Sequence, residues 1–306
     1  MTFGQDNGVP LLFCPNDWDG KADVQDTVKA FYEKYPFPNY EDIDSAFRLR
    51  QMAERGVFAK LLDEQIPYGS TVLEIGCGTG QLSNYLGMRH GRTVFGTDLC
   101  VNSLRLADSF KRQQGIDNVF FSQMNLFRPT FRQNSFDIVM CNGVLHHTSD
   151  PPLGFETILG LVKPGGFVII GLYNGFGRLP TDLKRMLFKL TGGRLKFIDH
   201  RMRERQASQR RKTAWFMDQF RHPHESKHTL GEVLGWFDKG GVEFLNSIPK
   251  AKAGAAFASE EALFSANPRG TWLDHLAVQI GMLVSGGKDG GLFLMIGRKS
   301  GRDDQG

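Results

Sequence analysis

The chain has 306 residues, of which 41% are hydrophobic and 23% are charged, and its formal net charge is +4. A chain of this length can bury a full core as one large domain or as a domain with an appendage. The small net charge gives no general indication of nucleic-acid binding. The four cysteines show no C-x-x-C spacing. This argues against a disulfide framework and a zinc knuckle, and it favours a reducing cytosol.

The first thirteen residues, MTFGQDNGVPLLF, have no basic leader before their short apolar patch, which is not typical of a signal peptide. The apolar run FVIIGLY at 167–173 is too short to cross a bilayer. We therefore expect a soluble, cytoplasmic protein.

Residues 1–68 are predicted to form an N-terminal helical region. The stretches DVQDTVKAFYEKY and SAFRLRQMAERGVFAKLLDEQ both have the apolar spacing of helices. The proline-punctuated sequence PFPNYED lies between them and predicts a turn.

Residues 69–173 alternate short apolar runs with helical patterns. The predicted strands lie at 71–75, 93–98, 118–122, 135–141 and 167–173. Short apolar strands that alternate with helices indicate a mostly parallel sheet covered on both faces.

Residues 174–228 interrupt this alternation and are predicted to be a helical insertion. One amphipathic helix is followed by a basic stretch, so that residues 178–212 contain twelve Lys or Arg against three acidic residues. Residues 229–306 resume the alternation, with a helix opened by Thr229, a strand near 243–248, a helix near 271–285 and a closing strand at 291–299. Residues 250–270 are predicted to be a loop or a mobile flap.

The sequence EIGCGTG at 74–80 follows the first predicted strand of this core. No lysine follows its glycines, which excludes a P-loop, and Gln81 stands where a dinucleotide fingerprint needs a small residue. The spacing of Gly76, Gly78 and Gly80 after Glu74 resembles the first motif of class I S-adenosylmethionine-dependent methyltransferases.

Further motifs carry this resemblance over roughly residues 68–175. Asp98 closes the second strand in TVFGTD, and Asn125 follows the third strand in SQMNLF. The stretch FDIVMCNGVLHHTSDP at 136–151 is similar to the fourth-strand motif of the quinone-biosynthesis-like branch, type 11/12. VKPGG at 162–166 is similar to the turn before the fifth strand.

The resemblance implies a Rossmann-like, doubly wound α/β fold with a seven-stranded, mostly parallel sheet, and S-adenosylmethionine as cofactor. It implies that Asp98 binds the ribose hydroxyls and that Asn125 lies near the adenine. Bare backbone followed by a carboxylate suits a cationic cofactor without phosphates, although a ligand-free strand-to-helix turn is the alternative. The predicted cofactor-binding residues are Glu74, Gly76, Cys77, Gly78, Gly80, Asp98, Leu99, Asn125, Leu126 and Asn142.

His146 and His147 follow the fourth strand, at the edge of the sheet where ligands bind in open α/β folds. Either is a candidate general base if the acceptor atom starts protonated, and the alternative is that both only shape the cofactor pocket. A second group of polar residues lies beyond the fifth strand and in the insertion, and it is predicted to contact the acceptor: Tyr173, Asn174, His222, His224 and Glu225.

The resemblance also implies that N-terminal aromatic residues fold over the cofactor as a lid, with simple packing against the sheet as the alternative. The candidates for this cover are Tyr32, Tyr35, Phe37 and Tyr40.

These observations predict a methyltransferase acting on the O, N or C atom of a small organic acceptor. One alternative is an RNA or protein methyltransferase that uses the basic insertion, and another is a non-catalytic S-adenosylmethionine-binding module. The His, Asp and Glu residues of 218–228 have no familiar metal-ligand spacing, so no metal is predicted. The sequence does not determine the acceptor or the oligomeric state.

Overall fold

The computed structural model describes residues 4–16, 24–38, 40–204 and 208–301. Within these ranges the strands are β1 (Gly4–Asp6), β2 (Val9–Leu11), β3 (Thr71–Ile75), β4 (Thr93–Asp98), β5 (Val119–Gln123), β6 (Phe136–Asn142), β7 (Val162–Tyr173), β8 (Val242–Ile248) and β9 (Leu292–Lys299). The α-helices are α1 (Val24–Lys34), α2 (Ala46–Ala53), α3 (Val57–Gln65), α4 (Gln81–Gly87), α5 (Val101–Gln113), α6 (Pro151–Leu161), α7 (Gly175–Leu190), α8 (Gln209–Arg221), α9 (Leu230–Lys239) and α10 (Trp272–Asp289).

All strands of the described ranges join one sheet in the order β1-β2-β5-β4-β3-β6-β7-β9-β8. The five strands from β5 to β7 are parallel, and β9 runs antiparallel to both β7 and β8. The predicted mostly parallel α/β sheet is confirmed, but the sheet has nine strands rather than seven. The two additional strands are the short β1–β2 hairpin, which joins the sheet edge through one pairing of Leu11 with Gln123.

Alternating side chains divide the core between the two faces of the sheet. Leu73 and Val139 belong to one buried cluster, whereas Val72 and Ile138 belong to the other. Because neighbouring residues of a strand point to opposite faces, continuous apolar strands require helices on both sides. This explains why the central strands contain few polar residues.

The order of the strands determines where a ligand can bind. The chain proceeds from β3 outward to β4 and β5, and then returns to place β6 on the other side of β3. The connections that leave β3 and β6 therefore run in opposite directions and open a crevice at the carboxyl ends of these strands.

Two elements begin or end away from their predicted positions. The helical pattern at 45–65 forms two helices, because the backbone is extended at Gly56, which caps α3. Strand β7 begins at Val162 rather than at 167, because Val162 already pairs with Phe136.

The insertion does not bury the apolar stripe that its sequence displays. Leu179, Leu183, Met186 and Leu190 of α7 are between 46% and 78% exposed. Helix α7 packs beside α10 on its other side, and its fully buried large side chains are Arg178 and Phe188. None of the helices in the described ranges has the combination of length and apolarity that a membrane span requires.

Arg178 connects the parts of the insertion through buried charges. Its guanidinium donates to both carboxylate oxygens of Glu225 at 2.9 and 2.7 Å, and Arg185 donates to the same carboxylate at 2.9 Å. Burial alone would raise the pKa of Glu225, but the hydrogen bonds and positive charges of the two arginines outweigh burial and lower it to about 2. The ion pair therefore fastens α7 to the segment after α8.

We predict that Glu225→Gln lowers the free energy of unfolding by about 3 kcal/mol, because it leaves the buried Arg178 charge without its partner. The stability that the ionised Glu225 contributes is complete above pH 4.5 and is lost as the pH falls towards 2, because the pKa of Glu225 in the folded state lies below its ordinary value. Urea unfolding at pH 7 measures it. Glu243→Gln is the matched control: the Glu243–Arg298 pair is 47% and 49% exposed, so its loss should cost less than about 1 kcal/mol. Equal losses in both variants would contradict this assignment.

Candidate functional site

A cavity of about 570 Å³ lies at the carboxyl ends of β3, β4 and β6. Predicted cofactor residues line one side of it, namely Glu74, Gly76, Cys77, Gly78, Asp98, Leu99, Leu126 and Asn142. The N-terminal region and the insertion line the rest, through residues that include Tyr32, Phe37, Trp215 and Asp218. Three segments that are distant in sequence thus enclose one space.

The loop after β3 is held to the end of β4 by Asp98. One carboxylate oxygen of Asp98 accepts the main-chain N–H of Gly78 at 2.8 Å, and the other accepts that of Cys100 at 2.8 Å. Burial raises the pKa of Asp98, and these main-chain donors offset part of that effect. The carboxylate keeps a further acceptor position for a ligand hydroxyl.

The three glycines of the loop are required by the protein as well as by any ligand. Their φ angles are +69° at Gly76, +53° at Gly78 and +70° at Gly80, a region that favours glycine. A Cβ atom at Gly78 would lie 2.6 Å from the main-chain oxygen of Phe37. At Gly80 it would lie 2.7 Å from the ring of Phe121. Gly80 is not among the cavity-lining residues, so its bare backbone serves the packing of α4 on the sheet.

Two buried polar atoms of cavity-lining residues lack a hydrogen-bond partner within the described residues, namely the side-chain oxygen of Asn142 and the indole nitrogen of Trp215. The side-chain oxygen of Asn142 is buried and accepts no hydrogen bond within the described residues. An unpaired buried acceptor is costly, which indicates that a ligand donor completes it. The Glu74 carboxylate accepts from the hydroxyl of Ser83, and burial raises its pKa to about 7 despite that bond. This set of acceptor oxygens suits a ligand with hydroxyl and amino donors, such as the amino-acid and ribose parts of S-adenosylmethionine.

The N-terminal region closes over the glycine loop. The hydroxyl of Thr79 donates to the main-chain oxygen of Pro38 at 2.6 Å, and Asn84 donates to the hydroxyl of Tyr40 at 2.9 Å. Of the predicted cover residues, Tyr32 and Phe37 line the cavity. Tyr40 instead stacks on Phe110, with ring centroids 4.5 Å apart. Tyr35 packs against Phe31 outside the cavity lining.

Asn125 is not placed at the cavity. Its amide donates to the carbonyl of Cys14 at 2.8 Å and to Asn16 at 2.7 Å, and its side-chain oxygen accepts from Gln25 at 3.1 Å. The side chain is fully buried, and both its amide nitrogen and its oxygen are hydrogen-bonded to protein groups. The predicted contact with adenine therefore has no support in the geometry.

His146 and His147 form a pair whose tautomers are fixed by main-chain groups. The Tyr173 amide donates to Nδ1 of His146 at 3.3 Å, and Nδ1 of His147 donates to the carbonyl of His224 at 2.8 Å. In the 3.1 Å contact between the two Nε2 atoms, His146 is therefore the donor and His147 the acceptor. Burial holds the pKa of both rings well below the ordinary value. Neither ring presents an open lone pair, so the geometry does not support either as the general base.

Of the residues predicted to contact the acceptor, one lines the cavity and the others do not. Tyr173 lines the cavity, and its hydroxyl accepts from Gln219 at 2.9 Å. Asn174 caps α7 by accepting the amides of Phe176 and Gly177 at 3.0 and 3.1 Å, away from the cavity. Glu225 is committed to its two arginines.

His222 and His224 lie behind the cavity wall. The ring of His222 stacks on that of His147, with centroids 3.6 Å apart, and its Nδ1 donates to the carbonyl of His224 at 2.6 Å. Burial lowers the pKa of His222 to about 4. Nε2 of His224 bonds the carbonyl of Thr148 at 3.0 Å. Both rings support the wall through main-chain contacts.

Asp218 belongs to the stretch 215–229, which the sequence predicts to form a polar wall over the acceptor, but it is not among the predicted contacts. It lies at the centre of a cavity-lining network. The hydroxyl of Tyr32 donates to one of its oxygens at 2.8 Å, and Gln219 donates to the other at 2.7 Å. Asp218 is 5% exposed, and burial raises its pKa while the two donors offset part of the rise. Its sequence signal was an acidic residue on the buried face of a helix, four positions after the buried Ala214.

The methyltransferase domain family of type 11 matches residues 73–170. An uncharacterized Synechococcus protein is 26% identical over 72% of this chain and 60% of its own length. A ubiquinone biosynthesis O-methyltransferase from Coxiella burnetii is 27% identical over 61% of this chain and 70% of its own length. The chain thus spans only part of these curated relatives.

A solved structure of similar fold is magnesium protoporphyrin IX methyltransferase from Synechocystis PCC 6803 with bound S-adenosylhomocysteine. It covers 91% of this chain and 100% of its own, with a TM-score of 0.52 and 15% sequence identity. At that identity the likeness shows the fold alone. The family match identifies residues 73–170 as a methyltransferase domain of type 11, for which S-adenosylmethionine is the cofactor.

Proposed function

We propose that the chain methylates an O, N or C atom of a small organic acceptor held between the glycine loop and the insertion. The observation that carries the proposal is Asp218, a buried carboxylate that faces the same cavity as Asp98. When bound, S-adenosylmethionine supplies the methyl group and its own activation through the sulfonium. The protein must then orient the acceptor, exclude water and hold a proton where one is released.

On the cofactor side, we infer that Asp98 accepts hydrogen bonds from the ribose hydroxyls and that the Asn142 oxygen accepts from an amino group. Glu74, Gly76, Cys77, Gly78, Leu99 and Leu126 complete the proposed contacts. Burial raises the pKa of the Cys77 thiol well above its ordinary value, so this side chain is an inert filler and not a nucleophile.

On the acceptor side, we infer that Asp218 takes the proton of a hydroxyl, amine or acidic carbon. A raised pKa brings a carboxylate closer to the pH at which a general base works best. Tyr32 stays a phenol, because burial and the neighbouring Asp218 raise its pKa well above 10. Tyr32 and Gln219 therefore orient the carboxylate, and Tyr173 lies within the same network.

The second candidate function is methylation of RNA or protein through the basic insertion. Its support is the surplus of positive charge at 178–212. The small acceptor is favoured because the N-terminal region also covers the cavity, which leaves limited room for a macromolecular chain. A cytoplasmic location is part of the proposal.

We predict that Asp98→Asn weakens binding of S-adenosylhomocysteine by about 10- to 100-fold, because a charge-assisted hydrogen bond is lost. Calorimetric titration measures this directly. Asp108→Asn is the control: this α5 carboxylate pairs with Arg112 at 2.7 Å and does not line the cavity, so its affinity should stay within twofold. An unchanged affinity in Asp98→Asn would remove the proposed ribose contact.

Asp218→Asn should lower transfer of labelled methyl into fractionated cell extract by about 100-fold or more, because the amide cannot accept the proton. Affinity for S-adenosylhomocysteine should change less than twofold. The wild-type rate should fall as the pH drops through the raised pKa of Asp218, where the base becomes protonated, and the variant should lack that limb. Asp238→Asn, at an exposed pair with Arg269, serves as the control. Full transfer by Asp218→Asn would refute the role of base.

A further inference from the structure

A second concavity, of about 760 Å³, adjoins the cavity, and we refer to it as the cationic groove. Its lining residues are Phe37, Pro38, Asp42, Ile43, Met52, Gln81, His200, Arg201, Arg203, Glu204, Arg211, Lys212, Ala214 and Trp215. Phe37, Pro38, Gln81, Arg201 and Trp215 line the cavity as well. The two spaces therefore share one wall, and the groove leads to the site described above.

The groove carries more positive than negative charge. Four arginines or lysines line it against two carboxylates. One of the carboxylates, Asp42, is paired with Arg211 at 2.5 Å. Within the described ranges no carboxylate forms an ion pair with Arg203 or Lys212. Like charges gathered in a concave surface repel one another and raise the local concentration of anions.

Arg201 and Trp215 stand at the junction of groove and cavity. The guanidinium carbon of Arg201 lies 3.7 Å from the ring centroid of Trp215, a cation–π contact that keeps the charge and the aromatic ring together. Phe37 approaches Trp215 from the N-terminal region, with ring centroids 6.3 Å apart. A ligand that crosses this junction meets aromatic surface between the cations and the cavity.

From this arrangement we propose that the methyl acceptor carries an anionic group, a carboxylate or a phosphate, which the cationic groove binds while the reacting atom reaches Asp218. The inference rests on the proposed function and adds the chemical class of the acceptor. A guanidinium binds either anion through paired N–H donors, and an ammonium binds it as a point charge. Because aromatic rings line the junction, we expect an unsaturated or apolar portion of the acceptor to link its anionic group to the methylated atom.

The same groove chemistry also suits the phosphate of a nucleic acid. The geometry favours a small molecule, because the cations surround a concave space that continues into an enclosed cavity. A nucleic-acid backbone is bound by charges spread along an extended surface, and its binding falls steeply with salt.

The test uses phenyl phosphate as the probe and the full chain saturated with S-adenosylhomocysteine. Calorimetry should detect binding of phenyl phosphate to the wild type, and benzyl alcohol, its neutral counterpart, should bind at least tenfold more weakly. The double variant Arg203→Gln with Lys212→Gln should weaken phenyl phosphate binding by about tenfold or more. Arg210→Gln is the matched control. Arg210 lies on α8 like Lys212, is 89% exposed and pairs with Glu41 outside the groove. Its binding should match that of the wild type.

The proposal is overturned if the wild type does not prefer phenyl phosphate over benzyl alcohol, or if the double variant binds the probe as tightly as the wild type. It is also overturned if a single-stranded RNA 12-mer binds with a steep salt dependence while phenyl phosphate does not bind. Affinity for S-adenosylhomocysteine is measured in every variant. A variant that keeps this affinity is folded, so a change in its binding of phenyl phosphate is not caused by misfolding. Probe binding without methyl transfer into any extract fraction would refute the proposed function and leave the anion site standing.

Discussion

The site depends on the carboxylate of Asp98, which joins two adjacent parallel strands at their carboxyl ends. By accepting the amides of Gly78 and Cys100, it fixes the glycine loop after β3 against the start of α5. Because Gly78 has no side chain, the main chain of Phe37 can approach the loop, and the N-terminal region covers it. The residue proposed to bind the ribose is thus also the residue that shapes the cavity around it.

The opposite wall depends on buried charge. Arg178 and Glu225 fasten the insertion, and Arg178 also donates to Gln219 at 2.6 Å. Gln219 in turn orients Asp218, which Tyr32 bonds from a position 186 residues away in the chain. The ion pair therefore has a functional consequence: it positions a carboxylate without neutralising it. Asp218 therefore faces the cavity as the proposed base, while Glu225 is a structural anchor.

The sequence predicts those parts of the fold that local pattern determines. Alternating apolar runs predict the core strands, and the motif spacing predicts that Asp98 and the glycine loop lie together. The hairpin of β1 and β2 was missed, because three-residue strands carry no usable periodicity. Asn174 and Glu225 are predicted to contact the acceptor but are bonded to protein groups instead. A sequence does not show which partner a polar side chain will find. The sequence does not single out Asp218 from the other polar residues of 215–229, because its role depends on the tertiary structure that brings α1, α8 and the sheet edge together.

The most direct test of this arrangement is amide hydrogen exchange of the wild-type chain with and without saturating S-adenosylhomocysteine. If the cofactor lies between the loop and the insertion, protection should increase together in residues 76–80, 98–100 and 215–219. Unchanged exchange in all three segments, or protection confined to regions outside them, would contradict a cofactor site at this cavity.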